Sequence, residues 1–333
     1  MPSLLTRLLL VAAVTLTLLG ATTSEAFAQA PDAGNEPYEW KWAFPLLGDK
    51  VAERGIKVPL PWGIGVNYVF VDQPIDIDRI AVGVNDSEMV DISELIKFDE
   101  LSAKLHALNL RVDLWLLPFM NVYVMGNYAI QADTNVSISE PFSFDAGAVQ
   151  SGYGGGFGTT FAGGFKGFFG TLDLNWTWNK MQKLDQPVGT RLLTPRVGKN
   201  LGTHGGIEFI VWGGAMRQII DSETKGKISL SDAISGDGEG KFQDDMTEWY
   251  EALPPARQAI VRGIVGRLNG NPGDTTIRYD LDKAISYPWN ALIGAEFGLS
   301  PAWRLRTELG FINRTQFLVG LNYRFGGFKR GEP

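Results

Sequence analysis

The sequence predicts an all-β chain that closes into an antiparallel transmembrane barrel of about ten strands, within a range of roughly eight to twelve. Three observations predict it. An N-terminal export signal is followed by no apolar run long enough for a membrane helix. Ten segments alternate apolar and polar side chains over about 9–11 residues, the length a tilted strand needs to cross the hydrocarbon. The connections between them alternate short and long, as turns on one side of a membrane and loops on the other would.

The bulk composition agrees. Glycine is abundant at 40 residues and aromatics make up 11%, which suits all-β better than all-α. A net charge of −7 leaves no electrostatic footprint for nucleic acid at whole-chain level. The absence of cysteine excludes zinc–thiolate sites, iron–sulfur clusters, disulfides and thiol nucleophiles.

Residues 1–30 read as a signal peptide. Met1–Arg7 carry one positive charge, Leu8–Ala21 are apolar, and Ala28-Gln29-Ala30 is a cleavage site before Pro31. The apolar run of about 14 residues is short of the roughly 20 a spanning helix needs. Cleavage removes one Arg and one Glu, so the charge stays at −7.

The clearest alternation lies in 107–116, 171–179, 303–311 and 317–325. In the first, Leu108, Leu110, Val112, Leu114 and Leu116 alternate with Asn109, Arg111, Asp113 and Trp115. Weaker runs occupy 62–71, 119–129, 152–164, 190–198, 204–217 and 288–299, with 75–84 and 274–281 as extra candidates. If strand one runs outward, short periplasmic turns fall near Leu117-Pro118, Phe165–Gly167, Lys199–Thr203 and Ser300-Pro301. Long extracellular loops fall at 72–105, 130–151 and 218–287. Trp62, Trp115, Trp176, Trp178, Trp212, Trp289 and Trp303 lie toward run ends, as an interfacial girdle would place them. Core tryptophans are the other reading.

The last run carries Gly320-Leu321-Asn322-Tyr323-Arg324-Phe325. It resembles the C-terminal β-signal of bacterial outer-membrane barrels: Gly320, then Tyr323 three residues on and Phe325 at the end. The resemblance implies assembly by the barrel-assembly machinery. In that family the signal usually ends the chain, whereas eight residues, Gly326–Pro333, follow here. No motif of an outer-membrane protease, phospholipase or lipid A-modifying enzyme is present.

A membrane barrel is apolar outside and polar within. The phase of each run therefore assigns Arg111, Asp113, Asp173, Glu208, Glu296, Arg304, Arg306, Glu308 and Arg324 to the lumen. Five acids and four bases favour neither anion nor cation selectivity. They either zip into a network that closes the barrel or line a narrow pore. A 300–301 turn would bring Glu296 close to Arg304 and Arg306.

No catalytic constellation stands out, so the chain is not expected to be an enzyme. His106 shares the phase of outward Leu108 and Leu110, which suits a membrane-surface position. His204 opens the seventh run at the periplasmic end, four residues from Glu208 and about 13 Å away along a strand. No cofactor or metal is expected, although Asp237, Glu239, Asp244 and Asp245 offer oxygen ligands at spacings compatible with calcium. Gly152-Tyr153-Gly154-Gly155-Gly156 reads as strand glycine easing barrel curvature.

The longest loop holds a helix candidate between Pro254-Pro255 and Gly270-Asn271-Pro272. Ala256, Ile260, Val261, Ile264, Val265 and Leu268 form its apolar stripe, with Arg257, Arg262 and Arg267 elsewhere on its surface. It could meet lipopolysaccharide phosphates or pack onto its own barrel, with Phe242, Trp249 and Tyr250 beside it. Residues 31–60 form a periplasmic segment or plug, with a short helix possible over 43–54. The barrel occupies 61–325 and a tail 326–333.

The expected function is a small porin-like channel for polar solutes in the bacterial outer membrane. The alternative is a closed structural or surface-binding barrel whose 218–287 loop engages lipopolysaccharide or a partner. A membrane enzyme is the third reading. Expected partners are outer-membrane lipids, lipopolysaccharide and the assembly machinery, with the oligomeric state left open.

Overall fold

A computed structural model describes residues 36–95, 97–140, 144–182, 186–221, 223–229, 250–265 and 276–329. The signal peptide, the acidic stretch 237–245 and Arg267 lie outside these residues.

Ten strands form a closed antiparallel ring. In chain order they are β1 (Trp62–Val84), β3 (Lys97–Leu117), β4 (Met120–Glu140), β5 (Phe144–Phe165), β6 (Phe168–Met181), β7 (Val188–His204), β8 (Ile207–Ile220), β11 (Trp289–Gly298), β12 (Trp303–Phe311) and β13 (Thr315–Phe325). β13 pairs with β1 over Trp62↔Phe325 to Asp72↔Thr315, so no edge is left open in the ring. Closure matters because an unpaired strand edge in hydrocarbon would strand backbone polar groups without partners.

The surfaces are inverted relative to a soluble sheet. Leu110, Val124, Leu172, Ile293, Leu309 and Leu321 are exposed, while Asn67, Asn109, Arg111, Asp173, Glu296 and Glu308 are buried. Burial alternates residue by residue along β13 and β6. An apolar exterior around a polar interior is the signature of a transmembrane barrel. Two aromatic belts bound the apolar band: Phe119, Phe165, Phe168, Trp303 and Tyr323 at one end, and Tyr128, Tyr153, Trp178 and Trp289 at the other. The nine-residue step from Phe119 to Tyr128 covers about 30 Å of strand. At a tilt of ~40° it matches an apolar band ~25 Å tall.

Trp115 and Trp212 do not belong to these belts. Both are buried inside, Trp115 at 0% exposure. Their phase already says so: Trp115 follows Arg111 and Asp113, and Trp212 follows Glu208. Trp62 and Trp176 are half-buried.

The end carrying both barrel termini has tight turns. Lys166 and Gly167 both have positive φ (52° and 78°), as a two-residue hairpin turn requires. The turn expected at Lys199–Thr203 lies instead at Gly205-Gly206, with φ of 60° and 85°. β7 therefore runs on through a register shift at Asn200–Gly202, and His204 ends it rather than opening the next strand.

The opposite, loop end differs most from expectation. Of the segments read as long loops, 72–105 and 130–151 are largely strand, while the described part of 218–287 holds strand at both ends and a helix between. β4 continues to Glu140 and β5 starts at Phe144, so 130–151 is mostly a tall hairpin. Beyond the hydrocarbon the outward face no longer has to be apolar, and the alternation that marks a membrane strand disappears. The two extra strand candidates pair with one another. The outer half of β1 pairs with β10 (Thr276–Ile285) from Ile75↔Ile285 to Val84↔Ile277. β9 (Glu223–Ser229) pairs with β10, and the two-residue β2 (Val90–Asp91) pairs with β1. Because β10 leads into β11, this arm passes over the short β12–β13 hairpin and rejoins β1 above it.

Among the described residues, helices precede β1 and fall between β9 and β10. α1 (Gly48–Ala52) belongs to the segment before β1. α2 (Pro255–Val265) begins on a proline, where a missing N–H costs nothing. Leu268 and the expected stop at Gly270-Asn271-Pro272 lie outside the described residues.

Candidate functional site

Every inward-facing residue read from the sequence lies within the barrel, and the side chains bond in three groups. At the turn end, Arg324 Nη2 donates to Asp113 Oδ1 at 3.0 Å. Its Nε and Nη2 also donate to the carbonyls of Leu60 and Pro61. Asp113 accepts from Asn121 Nδ2 at 2.6 Å, and Arg111 Nη2 donates to Asn121 Oδ1 at 2.9 Å. The Arg111 guanidinium lies 3.7 Å from the Tyr123 ring centroid. On the far wall, Arg304 Nη1 stands between Glu296 Oε1 (2.9 Å) and Glu208 Oε2 (3.0 Å), and Asn200 Nδ2 donates to Glu208.

At mid-depth, Arg196 donates through Nε and Nη2 to both oxygens of Glu308, at 2.8 and 3.0 Å. Glu308 Oε2 also accepts from Arg306 Nη2 (3.0 Å) and Trp212 Nε1 (2.8 Å). Arg306 lies over the Trp212 ring at 4.1 Å. One carboxylate thus gathers two guanidiniums and an indole from β7, β8 and β12. Asp173 accepts from the Tyr123 and Thr160 hydroxyls. Arg306 stands opposite Glu296 in the strand register, and its Nη2 donates to Glu308.

The third group is an asparagine ladder around one level of the ring. Asn67 Nδ2 donates to Asn109 Oδ1, Asn109 to Asn127, and Asn127 to Asn179, at 3.0, 2.6 and 3.2 Å. The last step jumps over β5, where Gly154 stands in register. A Cβ at Gly154 would come within 2.1 Å of Asn179 Oδ1. The glycine run thus clears space for the ladder, more specifically than general curvature would explain. Gly320 does the same for Asn67 Oδ1, at 2.0 Å. Gly320 therefore has a packing role, while Tyr323 lies tilted against Trp303 and stacks on Phe325.

The inward set assigned from the sequence left out Arg196, the asparagines, Tyr123 and Trp212, although Asn109 and Trp212 share the phase of inward charges. Arg196 could have been found, because Thr194 and Arg196 share a phase. The neighbouring Leu192 and Leu193 blur that run.

Much of the described interior is packed with side chains. Asn121, Asp173, Asn175, Thr177, Asn179, Arg196, Glu296, Arg306 and Glu308 are all nearly inaccessible to water. At the turn end, residues 57–60 face Thr203, Gly206, Glu208, Ser300 and Arg304 across a cavity of about 500 Å³. The segment before β1 is tied down there. Ala43 N donates to Phe328 O, Leu46 N to Leu116 O, and Trp42 bridges Lys329 in the tail.

The remaining candidates lie elsewhere. His106 is on the outer face, sharing a 2.7 Å hydrogen bond with the Tyr68 hydroxyl and packing on Phe70. His204 is exposed at its turn, edge-on to Phe209. On α2, Arg257 pairs with Glu94 at 3.7 Å and Arg262 donates to the Tyr250 hydroxyl.

No family model and no curated protein matches the chain. Among solved structures, it is similar to the beta domain of the Bordetella autotransporter BrkA at 8% identity and a TM-score of 0.40. That match covers 80% of this chain and all of that one. It is similar to the outer membrane protein OprG from Pseudomonas aeruginosa at 11% identity and a TM-score of 0.35, covering 80% and 97%. The transport unit of the autotransporter AIDA-I from Escherichia coli matches at 10% identity and a TM-score of 0.34, covering 80% and 90%.

Proposed function

We propose that this chain is a bacterial outer-membrane barrel sealed along its axis, whose working surface is the arm at its loop end. The observation that carries this reading is the Arg196–Glu308–Arg306 group. It joins β7 to β12 across the interior, and all three side chains are buried. Guanidiniums and carboxylates that line an aqueous pore stay hydrated, whereas these have exchanged water for one another. The arm of β9, β10 and α2 then faces the medium, where lipopolysaccharide or a partner would meet it. Assembly would proceed through the machinery that reads Gly320, Tyr323 and Phe325.

The second reading is a small channel for polar solutes. The cavity of about 500 Å³ beside Glu208 and Arg304 favours it, since it would serve as a vestibule. Single-channel recording of refolded residues 31–333 separates the two. Silence from protein shown to be folded by circular dichroism supports the sealed barrel. Discrete, reproducible conductance steps would replace it with the channel.

A further inference from the structure

Five interior arginines, Arg111, Arg196, Arg304, Arg306 and Arg324, each lie within 4 Å of a carboxylate. Arg314 does not. Its side chain is 4% exposed, yet Nε, Nη1 and Nη2 all lack a hydrogen-bond partner. Two residues along the same face, Gln316 is 0% exposed and both of its amide atoms lack partners. Asp72 on β1 pairs with Thr315, so the next residue, Gln73, stands level with Arg314. Gln73 is also buried, and its Oε1 is unbonded.

The backbone beneath these side chains is fixed. Asn290 Nδ2 donates to Arg314 O at 3.0 Å, and Asn290 Oδ1 accepts from the backbone N–H groups of Asn313 and Arg314. Gly310, in register with Gln316, makes way for the Asn290 and Gln316 side chains; a Cβ there would lie 2.6 Å from Asn290 Nδ2 and 2.9 Å from Gln316 Cβ. The cluster lies just inside the point where β10 joins β1 at Ile75↔Ile285. A turn held this firmly sets unbonded donors of Arg314 and Gln316 beside unbonded amide oxygens of Gln73 and Gln316. A buried guanidinium without a counter-charge is costly, and the most direct remedy is a ligand that carries one.

We propose that Arg314, Gln316 and Gln73 form a binding site for one small oxyanion, of the carboxylate or phosphate class, in the loop end of the interior beneath β10. The guanidinium presents a planar fork of N–H donors that matches two oxygens of such a group. The Gln316 amide supplies a further donor. The amide oxygens of Gln73 and Gln316 accept from a hydroxyl or a protonated oxygen on the same ligand. The site needs entry only from the loop end, so it stands whether or not the barrel conducts.

The test is calorimetric titration of the refolded full barrel with sodium phosphate and with sodium succinate, against sodium chloride at equal ionic strength. Saturable binding of phosphate, succinate or both, at one per chain, is expected, and which one binds assigns the class. R314Q should weaken that binding at least tenfold, and R314K less. Q316E places a carboxylate beside Arg314 from within the chain. It should abolish binding and raise the thermal midpoint in anion-free buffer, which keeps the test decisive if R314Q does not fold. No saturable binding of either oxyanion, equal binding of chloride, or binding unchanged in R314Q and Q316E would each overturn the proposal.

Discussion

Arg196 on β7 and Glu308 on β12 meet across the barrel interior through two hydrogen bonds, 2.8 and 3.0 Å long, although 112 residues separate them in the chain. The same carboxylate holds Arg306 and the Trp212 indole. Glu308→Ala therefore strands two guanidiniums in a water-poor interior. Removing one member of a buried charged group costs about 3–5 kcal/mol. That loss is expected in urea unfolding of the barrel in lipid vesicles, followed by tryptophan fluorescence. Replacing Arg196, Arg306 and Glu308 together by Met, Met and Leu should recover most of it. A single Glu308→Ala variant within ~1 kcal/mol of the parent would show that water reaches this group after all.

The inverted surface makes a second prediction, which depends on depth. Val124 is exposed midway between the belt residues Phe119 and Tyr128, whereas exposed Leu201 lies near the Gly205-Gly206 turn. An arginine on the lipid face costs about 2–4 kcal/mol at the bilayer midplane and ~0–1 near its edge. Val124→Arg should therefore destabilise the vesicle-embedded barrel by several times as much as Leu201→Arg. Equal effects would mean that the outer face does not meet hydrocarbon.

The membrane strands were legible because hydrocarbon enforces the pattern on them. Arg111 and Asp113 alternate with Leu110, Val112 and Leu114, and they lie inside. Where the enforcement stops, so does the signal. Residues 131–140 (Gln-Ala-Asp-Thr-Asn-Val-Ser-Ile-Ser-Glu) continue β4 in water, and nothing in their polarity separates them from a loop. Cross-barrel partners were also out of reach. The phase of Glu308 places it inward, but only the ring order brings β7 opposite it. The glycines were visible as a run, yet the reason for Gly154 lies in Asn127 and Asn179 on its two neighbours.

The arm that crosses above the β12–β13 hairpin gives a third prediction. Ala81 on β1 is the register partner of Asp280 on β10. Directly opposed residues in an antiparallel ladder have Cα atoms about 4.5–5.5 Å apart, within the span of a disulfide. The chain has no cysteine, so Ala81→Cys/Asp280→Cys can form only this bond within one molecule. Mild oxidation of the folded double variant should give an intramolecular cross-link that alters its mobility on a non-reducing gel. Neither single variant should do so. Free thiols persisting in the folded, oxidised double variant would mean that β10 does not rest on β1.

The loop beside that arm should come loose in acid. Asp91 is held below the ordinary carboxylate range, chiefly because its carboxylate accepts from the Ser93 hydroxyl, with the Ser93 backbone N–H and Arg79 adding to the effect. Burial opposes the shift without reversing it. A carboxyl whose folded pKa is depressed stabilises the fold above its unfolded value of about 4. That contribution fades as pH falls through the lower folded value. Ser93 Oγ in turn accepts from Ile80 N–H, and Ile92 N–H donates to Ile80 O. Hydrogen exchange at the Ile80 and Ile92 amides, corrected for intrinsic rates, should therefore be slow at neutral pH and quicken below about 4. Asp91→Asn should remove that step while leaving the amides of the membrane strands protected. Protection that rises as the pH falls would reverse the sign and place the control of this loop elsewhere.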